Sequence, residues 1–181
     1  MLYYEIDEGV ELRLVEERYA EELTSVVKKN CAYLEEWLPW ANKDYDEKFA
    51  TDFLKRKLNN LAEGNELSFF IFCDKKIIGL VSLFKIDKVN KSGEIGYWIT
   101  EDAQGKGIIT KCSEALIKHG FDELNLNRIV IICATGNAKS QGVPKRLKFQ
   151  HEGVLRQSHR LHEGFVDLIV YSLLKEEWGK R

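Results

Sequence analysis

The residue types and spacing that best suit chemistry fall in one stretch, Gln104-Gly105-Lys106-Gly107-Ile108-Ile109-Thr110. It follows a short apolar strand, Glu94 to Ile99, and an acidic loop, Thr100-Glu101-Asp102-Ala103. After Gly107, the residues Ile108, Ile109, Cys112, Ala115, Leu116 and His119 recur at helical spacing. A strand, a loop with two glycines and a helix start together make an anion site. The first amides of a helix have no partner of their own, they point outward, and the helix dipole favours negative charge. Gly105 and Gly107 let a diphosphate approach the main chain closely. An ordinary strand-to-helix turn is the alternative. Groups able to move protons lie elsewhere: Glu94 on the strand, and His159 and Asp167 near the C-terminal end. Cys133 ends an apolar run, where a buried core thiol is the simpler reading than a nucleophile.

The elements that must position these groups follow from periodicity. Val10 to Leu14 alternates as a strand, and Tyr19 to Leu34 carries a helical stripe through Leu23, Val26, Val27, Cys31 and Leu34. Pro39 ends that region, because the residue before a proline avoids helix. Trp37 and Trp40 flank it, as core plugs or as a cleft wall. Asp46 to Glu63 is a second helix, with Phe49, Phe53, Leu54, Leu58 and Leu61 inward and Gly64 near its end. Glu66 to Phe72 and Ile77 to Phe84 form a hairpin about Cys73-Asp74-Lys75-Lys76, and Glu94 to Ile99 adds a third antiparallel strand. Arg128 to Cys133 is continuously apolar after its first residue, which predicts burial on both faces. A short helix ends near Leu147, with Ser140 as a fitting N-cap, and Gln150 to Arg156 with Val166 to Leu174 closes the sheet.

Composition excludes several classes. The 181 residues are 44% hydrophobic and 31% charged, as in a globular domain that buries its own core. A net charge of −2 leaves no footprint for bulk nucleic-acid binding. No apolar run reaches membrane-span length, and the acidic start MLYYEIDEGVELR is not a signal peptide. The four cysteines have no metal-type spacing, so a reducing cytoplasm and no metal are expected.

The glycine turn lacks the GxxxxGK run of a P-loop and the third glycine of GxGxxG. It resembles instead the Gln/Arg-x-x-Gly-x-Gly/Ala loop of the GCN5-related N-acetyltransferases (GNAT), with Ile109 in place of the last small residue. Asn137-Ala-Lys-Ser140-Gln-Gly-Val143-Pro-Lys-Arg-Leu147-Lys-Phe149-Gln-His-Glu152-Gly153 resembles the family's N-x-x-S-x-x-V-x-x-x-L-G-F-x-x-E-G stretch. Gly164-Phe165-Val166-Asp167 through Tyr171-Ser172-Leu173-Leu174 resembles its final strand. Lys29 to Trp40, KNCAYLEEWLPW, and Val89 to Ile99, VNKSGEIGYWI, resemble the Rim branch, which acetylates serine or alanine ends of ribosomal proteins. The likeness runs from about Leu12 to Trp178. Lys148 replaces a family glycine, Pro144 falls inside the fourth helix, and the tyrosine that many members carry near that helix's start is missing.

The resemblance implies an α/β GNAT fold: a mixed seven-stranded central sheet flanked by four helices, splayed between the fourth and fifth strands, in one domain over residues 1–181. It implies acetyl-CoA as cofactor, CoA as product, and direct acetyl transfer to an amine. Amides of Gln104, Gly105, Lys106, Gly107, Ile108, Ile109 and Thr110 would hold the pyrophosphate. The backbone of Tyr97, Trp98 and Ile99, with Asn137, would bond the pantetheine arm as an added strand. An amide near Ile99 would meet the thioester oxygen, and Ser140 would protonate the leaving sulfur. Lys106 or Lys111 stands near the phosphates, or else simply faces water. Glu94, His159 and Asp167 are the candidate bases, with Glu94 foremost. Trp37, Trp40, Tyr97, His159 and Asp167 would recognise the acceptor.

The expected partner is a protein N-terminus, with a homodimer as a further expectation from aromatic residues near the N-terminal helices. A small amine such as a polyamine or an aminoglycoside is the alternative acceptor. An acyl-CoA-binding module without catalysis is the reading from another class.

Overall fold

The computed structural model describes residues 3–162 and 164–180. Strands β1 (Tyr3–Asp7) and β2 (Val10–Leu14) form a hairpin about Gly9, whose φ of 71° suits a residue without a side chain. Helices α1 (Ala20–Lys29), α2 (Cys31–Leu34) and α3 (Glu47–Ala62) follow. Asp46 caps α3 by accepting from the Phe49 amide at 2.7 Å. Then come β3 (Leu67–Cys73), β4 (Lys76–Asp87) and β5 (Ser92–Ile99). The expected hairpin turn over Cys73 to Lys76 is a two-residue loop, since Cys73 pairs with Lys76, and Asp74 and Lys75 both have the positive φ that such a turn requires. Helix α4 (Ile108–Asp122), β6 (Arg128–Ala134), α5 (Ala138–Arg146), β7 (Gln150–Leu161), β8 (Gly164–Leu174) and a last turn, α6 (Lys175–Trp178), complete the chain.

The sheet runs β1-β2-β3-β4-β5-β6-β8-β7. It is antiparallel except at β5–β6, which pair in parallel over Ser92, Gly93 and Glu94 against Arg128, Ile129 and Val130. Beyond Glu94 and Val130 the two strands separate, so the mixed sheet is splayed where expected. Among the described residues the expected seven strands are eight, because Tyr3–Asp7 adds an edge strand. Tyr4 and Ile6 on that strand rest against the core, an alternation short enough to miss in the sequence.

Two cores flank the sheet. On one face α4 lays Ile108, Ile109, Cys112, Leu116, Ile117 and Phe121 over Val81, Leu83, Ile95, Ile129 and Ile131. On the other, α1 and α3 bring Leu23, Val27, Ala50 and Leu54 against Phe70, Phe72, Ile77, Leu80 and Trp98. Three local expectations change. The helix over Tyr19 to Leu34 breaks at Asn30, whose amide and side chain fold back onto the carbonyl of Val26. Phe49 is 42% exposed instead of inward. Strand β6 alternates, with Ile129, Ile131 and Cys133 buried and Val130 and Ile132 only half-buried, because the splay leaves part of it uncovered. No helix among the described residues is long and apolar enough to cross a membrane.

Candidate active site

The splay between β5 and β6 opens a cleft of about 1060 Å³, bounded by the β5 backbone, the glycine turn, the end of β6 and the start of α5. Its chemistry starts with which main-chain groups face it. The Thr100 amide donates to the Ile78 carbonyl on β4. Alternate residues of a strand turn their amides the same way, so Trp98 and Gly96 also face β4, while Ile99 and Tyr97 face the opened side. Tyr97 and Ile99 thus present free edge groups to the cleft. Trp98, expected with them, also lines the cleft, but its amide turns to β4 and its ring is buried in the second core against Trp40.

The glycine turn has the geometry of an anion cradle. Gly105 and Gly107 lie at φ of 74° and 75°, and a Cβ on either would meet nothing within 4 Å. Gly107 stands at the N-cap of α4 with no side chain capping it, so the amides of Ile108, Ile109 and Thr110 remain open. Ile109, the departure from a small residue, points into the core and leaves the turn intact. These features suit a diphosphate that ends in an extended, amide-rich arm, as CoA does. Lys106 is exposed, and Lys111 pairs with Asp7 on β1. The cations that face the turn come instead from α5. Lys139 Nζ donates to Gln104 Oε1 at 2.9 Å, and Arg146 Nε donates to Thr110 Oγ1 at 3.1 Å. Both line the cleft. With Val143 they share one helical face, an i, i+4, i+7 spacing that is the sequence signal for them.

At the start of α5, Asn137 takes the N-cap: its Oδ1 accepts from the Ser140 amide at 2.9 Å. The helix begins three residues before Gln141, so Ser140 is not the cap it was expected to be. It sits in the first turn with its Oγ 3.2 Å from Cys133 Sγ and 3.4 Å from Tyr97 Oη. Tyr97 Oη donates to the Ser140 carbonyl at 2.8 Å. Burial pushes the Tyr97 hydroxyl well above the usual tyrosine value and raises the Cys133 thiol. Each keeps its proton at neutral pH, and a protonated thiol is a poor nucleophile. Gln141 secures the other side of the turn, donating to the carbonyls of Ala134 and Thr135 at 3.2 and 2.8 Å.

Glu94 lies at the base of the opening and accepts from Lys85 Nζ at 2.8 Å. Trp37 and His159 line the cleft. Trp40 and Asp167 do not belong with them. Trp40 stacks on Phe53 and packs against Tyr45 and Trp98, a core role. Asp167 Oδ1 accepts from the Gln157 amide at 2.7 Å, steadying the irregular stretch of β7 where Gln157 has positive φ.

The profile of the Acetyltransferase (GNAT) domain matches residues 10–150. The chain is 37% identical to the "Putative ribosomal N-acetyltransferase YdaF" of Bacillus subtilis, over 98% of both chains. It is 32% identical to the ribosomal-protein-serine acetyltransferase of Escherichia coli, over 92% of this chain and 93% of that one. The structure superposes with a TM-score of 0.91, at 27% identity, on the RimL ribosomal-protein alpha-N-acetyltransferase in complex with CoA, covering 97% of this chain and 99% of that one.

Proposed function

This chain belongs to the GNAT acetyltransferase family and is an N-acetyltransferase that uses acetyl-CoA, and we propose that its acceptor is the α-amine of a ribosomal protein beginning with serine or alanine. The observation that carries the acceptor class is similarity over nearly the full chain to enzymes named for ribosomal proteins, including the helices that wall the cleft. Four free cysteines, of which Cys112 and Cys133 are buried, suit a reducing cytoplasm.

Acetyl-CoA supplies the acetyl group as an activated thioester. The open amides from Gly105 to Thr110 bind the pyrophosphate, with Lys139 and Arg146 supplying the charge that the turn lacks. The edge groups of Tyr97 and Ile99 hold the pantetheine arm in the manner of an added strand. The Asn137 side chain has a nitrogen not used by its cap, which donates to the same arm. The Ile99 amide donates to the thioester oxygen as negative charge develops there, a contact worth roughly 3–4 kcal/mol.

An α-amino group has a pKa near ~8, so about a tenth is unprotonated at neutral pH. A weak base is sufficient for it, and Glu94, at the base of the opening, takes the proton directly or through water. Trp37 and His159 form the acceptor wall. Ser140 gives its proton to the leaving sulfur and regains one from water.

The test is acetyl-CoA turnover, read as free thiol, with serine- or alanine-starting peptides of basic or acidic continuation, spermidine and an aminoglycoside as acceptors. The expected result is turnover of a serine- or alanine-starting peptide, with kcat reduced about 100-fold in Ser140→Ala. Turnover of the small amines alone would replace the proposed acceptor. CoA binding without any turnover would leave a binding module and overturn the catalytic assignment.

A further inference from the structure

The clasp between β5 and α5 has an origin that the mechanism does not use. In a helix, the carbonyl of residue 140 accepts from the amide of residue 144. Residue 144 is Pro144, which has no amide hydrogen and lies well inside α5, beyond the first turn where a proline costs little. The Ser140 carbonyl therefore loses its helical donor inside a half-buried site, where an unpaired acceptor is costly. Tyr97 Oη fills that place at 2.8 Å, reaching from β5 across the opened sheet. The same oxygen receives the Ser140 hydroxyl at 3.4 Å, and Cys133 Sγ lies 3.2 Å from that hydroxyl on the β6 side.

The depth of the three groups matches. Tyr97 stands three residues past Glu94, and Cys133 three residues past Val130, the last pair that β5 and β6 make. Ser140 is thus held across the gap from both walls at one level.

We propose that Tyr97 is a positioning residue for Ser140, and that Pro144 makes it so by leaving the Ser140 carbonyl free for the Tyr97 hydroxyl. The link joins α5 to β5 where sheet pairing no longer does. It fixes the distance between the two walls and the direction of Ser140 Oγ. Burial keeps Tyr97 protonated, so the donor persists across the pH range of an amine acetyltransferase. The inference rests on the reading of Ser140 as the proton donor.

The test is a set of variants of the full chain: Tyr97→Phe, Ser140→Ala, their double, Pro144→Ala, and Tyr97→Phe with Pro144→Ala. Thiol release is read with the serine-starting peptide, with acetyl-CoA hydrolysis as the acceptor-free reaction, and Tm is read for each variant. Tyr97→Phe is expected to lower kcat about tenfold with the acetyl-CoA KM within twofold. In the Ser140→Ala background it is expected to have no further effect on kcat. Pro144→Ala restores an amide for the Ser140 carbonyl, so it is expected to raise the Tm of Tyr97→Phe and recover part of its kcat. Equal losses from Tyr97→Phe in both backgrounds would overturn the proposal, as would failure of Pro144→Ala to raise the Tm of Tyr97→Phe. Full kcat in Ser140→Ala alone would instead remove the proton-donor reading, and the Tm pair would still decide whether Tyr97 serves the carbonyl.

Discussion

At the residue scale, departures from the family pattern are absorbed locally. Ile109 turns into the core. Lys148, the departure from the glycine of the pattern that the sequence resembles, adopts φ of 51° just past α5. The Phe149 amide bonds to the Pro144 carbonyl at 2.9 Å and the Lys148 amide to the Lys145 carbonyl at 3.1 Å, which is the glycine-type helix ending. A lysine in that conformation pays about 1 kcal/mol or more, and a glycine would regain part of it. Lys148→Gly is expected to stabilise the protein by about 0.5–1 kcal/mol in urea titration, with kcat unchanged. A less stable variant would show that the lysine side chain contributes something the backbone argument omits.

Elements carry the next constraints. The α4 turn needs positive φ at Gly107, and the space where a side chain would point is open. Gly107→Ala should therefore cost only about 1–2 kcal/mol of stability, through backbone strain without a clash. Its methyl group enters the space assigned to the pyrophosphate, so the acetyl-CoA KM is expected to rise about tenfold or more, a loss of roughly 1.4 kcal/mol in binding. A KM that stays put while Tm falls would separate the turn from the phosphates.

Across the other half of the sheet, Arg128 on β6 reaches over β8 to Glu152 on β7 with two hydrogen bonds, and Ser172 Oγ donates to the same carboxylate at 2.7 Å. The Arg128 guanidinium, opposed by burial and helped by the Ser172 hydroxyl, holds the Glu152 carboxyl down to about 2. A depressed carboxyl stabilises the fold above its ordinary value near 4.5 and loses that contribution as pH falls through about 2. The pair is partly exposed, so solvent screening keeps the effect small. Glu152→Gln is expected to lower Tm modestly at pH 7 and to converge on the parent near pH 2. A gap that persists at low pH would mean packing, not charge, is responsible.

At the scale of the whole molecule, the helical layer is tied to the sheet by a polar group in an apolar place. Glu66 is 4% exposed and accepts from Lys57, from Asn60 at 2.8 Å and from Ser68 at 2.7 Å, while Ser68 and Ser82 share a bond at 2.6 Å. Lys57→Met keeps the apolar stem and removes the charge, leaving a buried carboxylate without its cation. The expected cost is about 3 kcal/mol in urea unfolding at pH 7, well beyond a surface pair. A change under about 1 kcal/mol would place Lys57 effectively in solvent.

Sequence alone determined the order of most elements, the glycine turn and the family. Periodicity, chain-breaking residues and helix-start chemistry are local, and each is written within a few positions of where it acts. Trp37 and Trp40 show the limit: same type, three residues apart, one lining the cleft and the other packed in the core. Asp167 and His159 divide in the same way: the Asp167 carboxylate is already bonded to the Gln157 amide, while His159 lines the cleft. The tertiary structure decided the eighth strand, the cations of α5 that face the turn, and the hydroxyl that meets the Ser140 carbonyl. No tyrosine stands near the start of α5, yet Tyr97 brings one to Ser140 from β5, 43 positions away. Pro144 was visible as a lost donor. Which group replaces that donor depended on how far β5 and β6 part, and that distance is set by packing across the whole sheet.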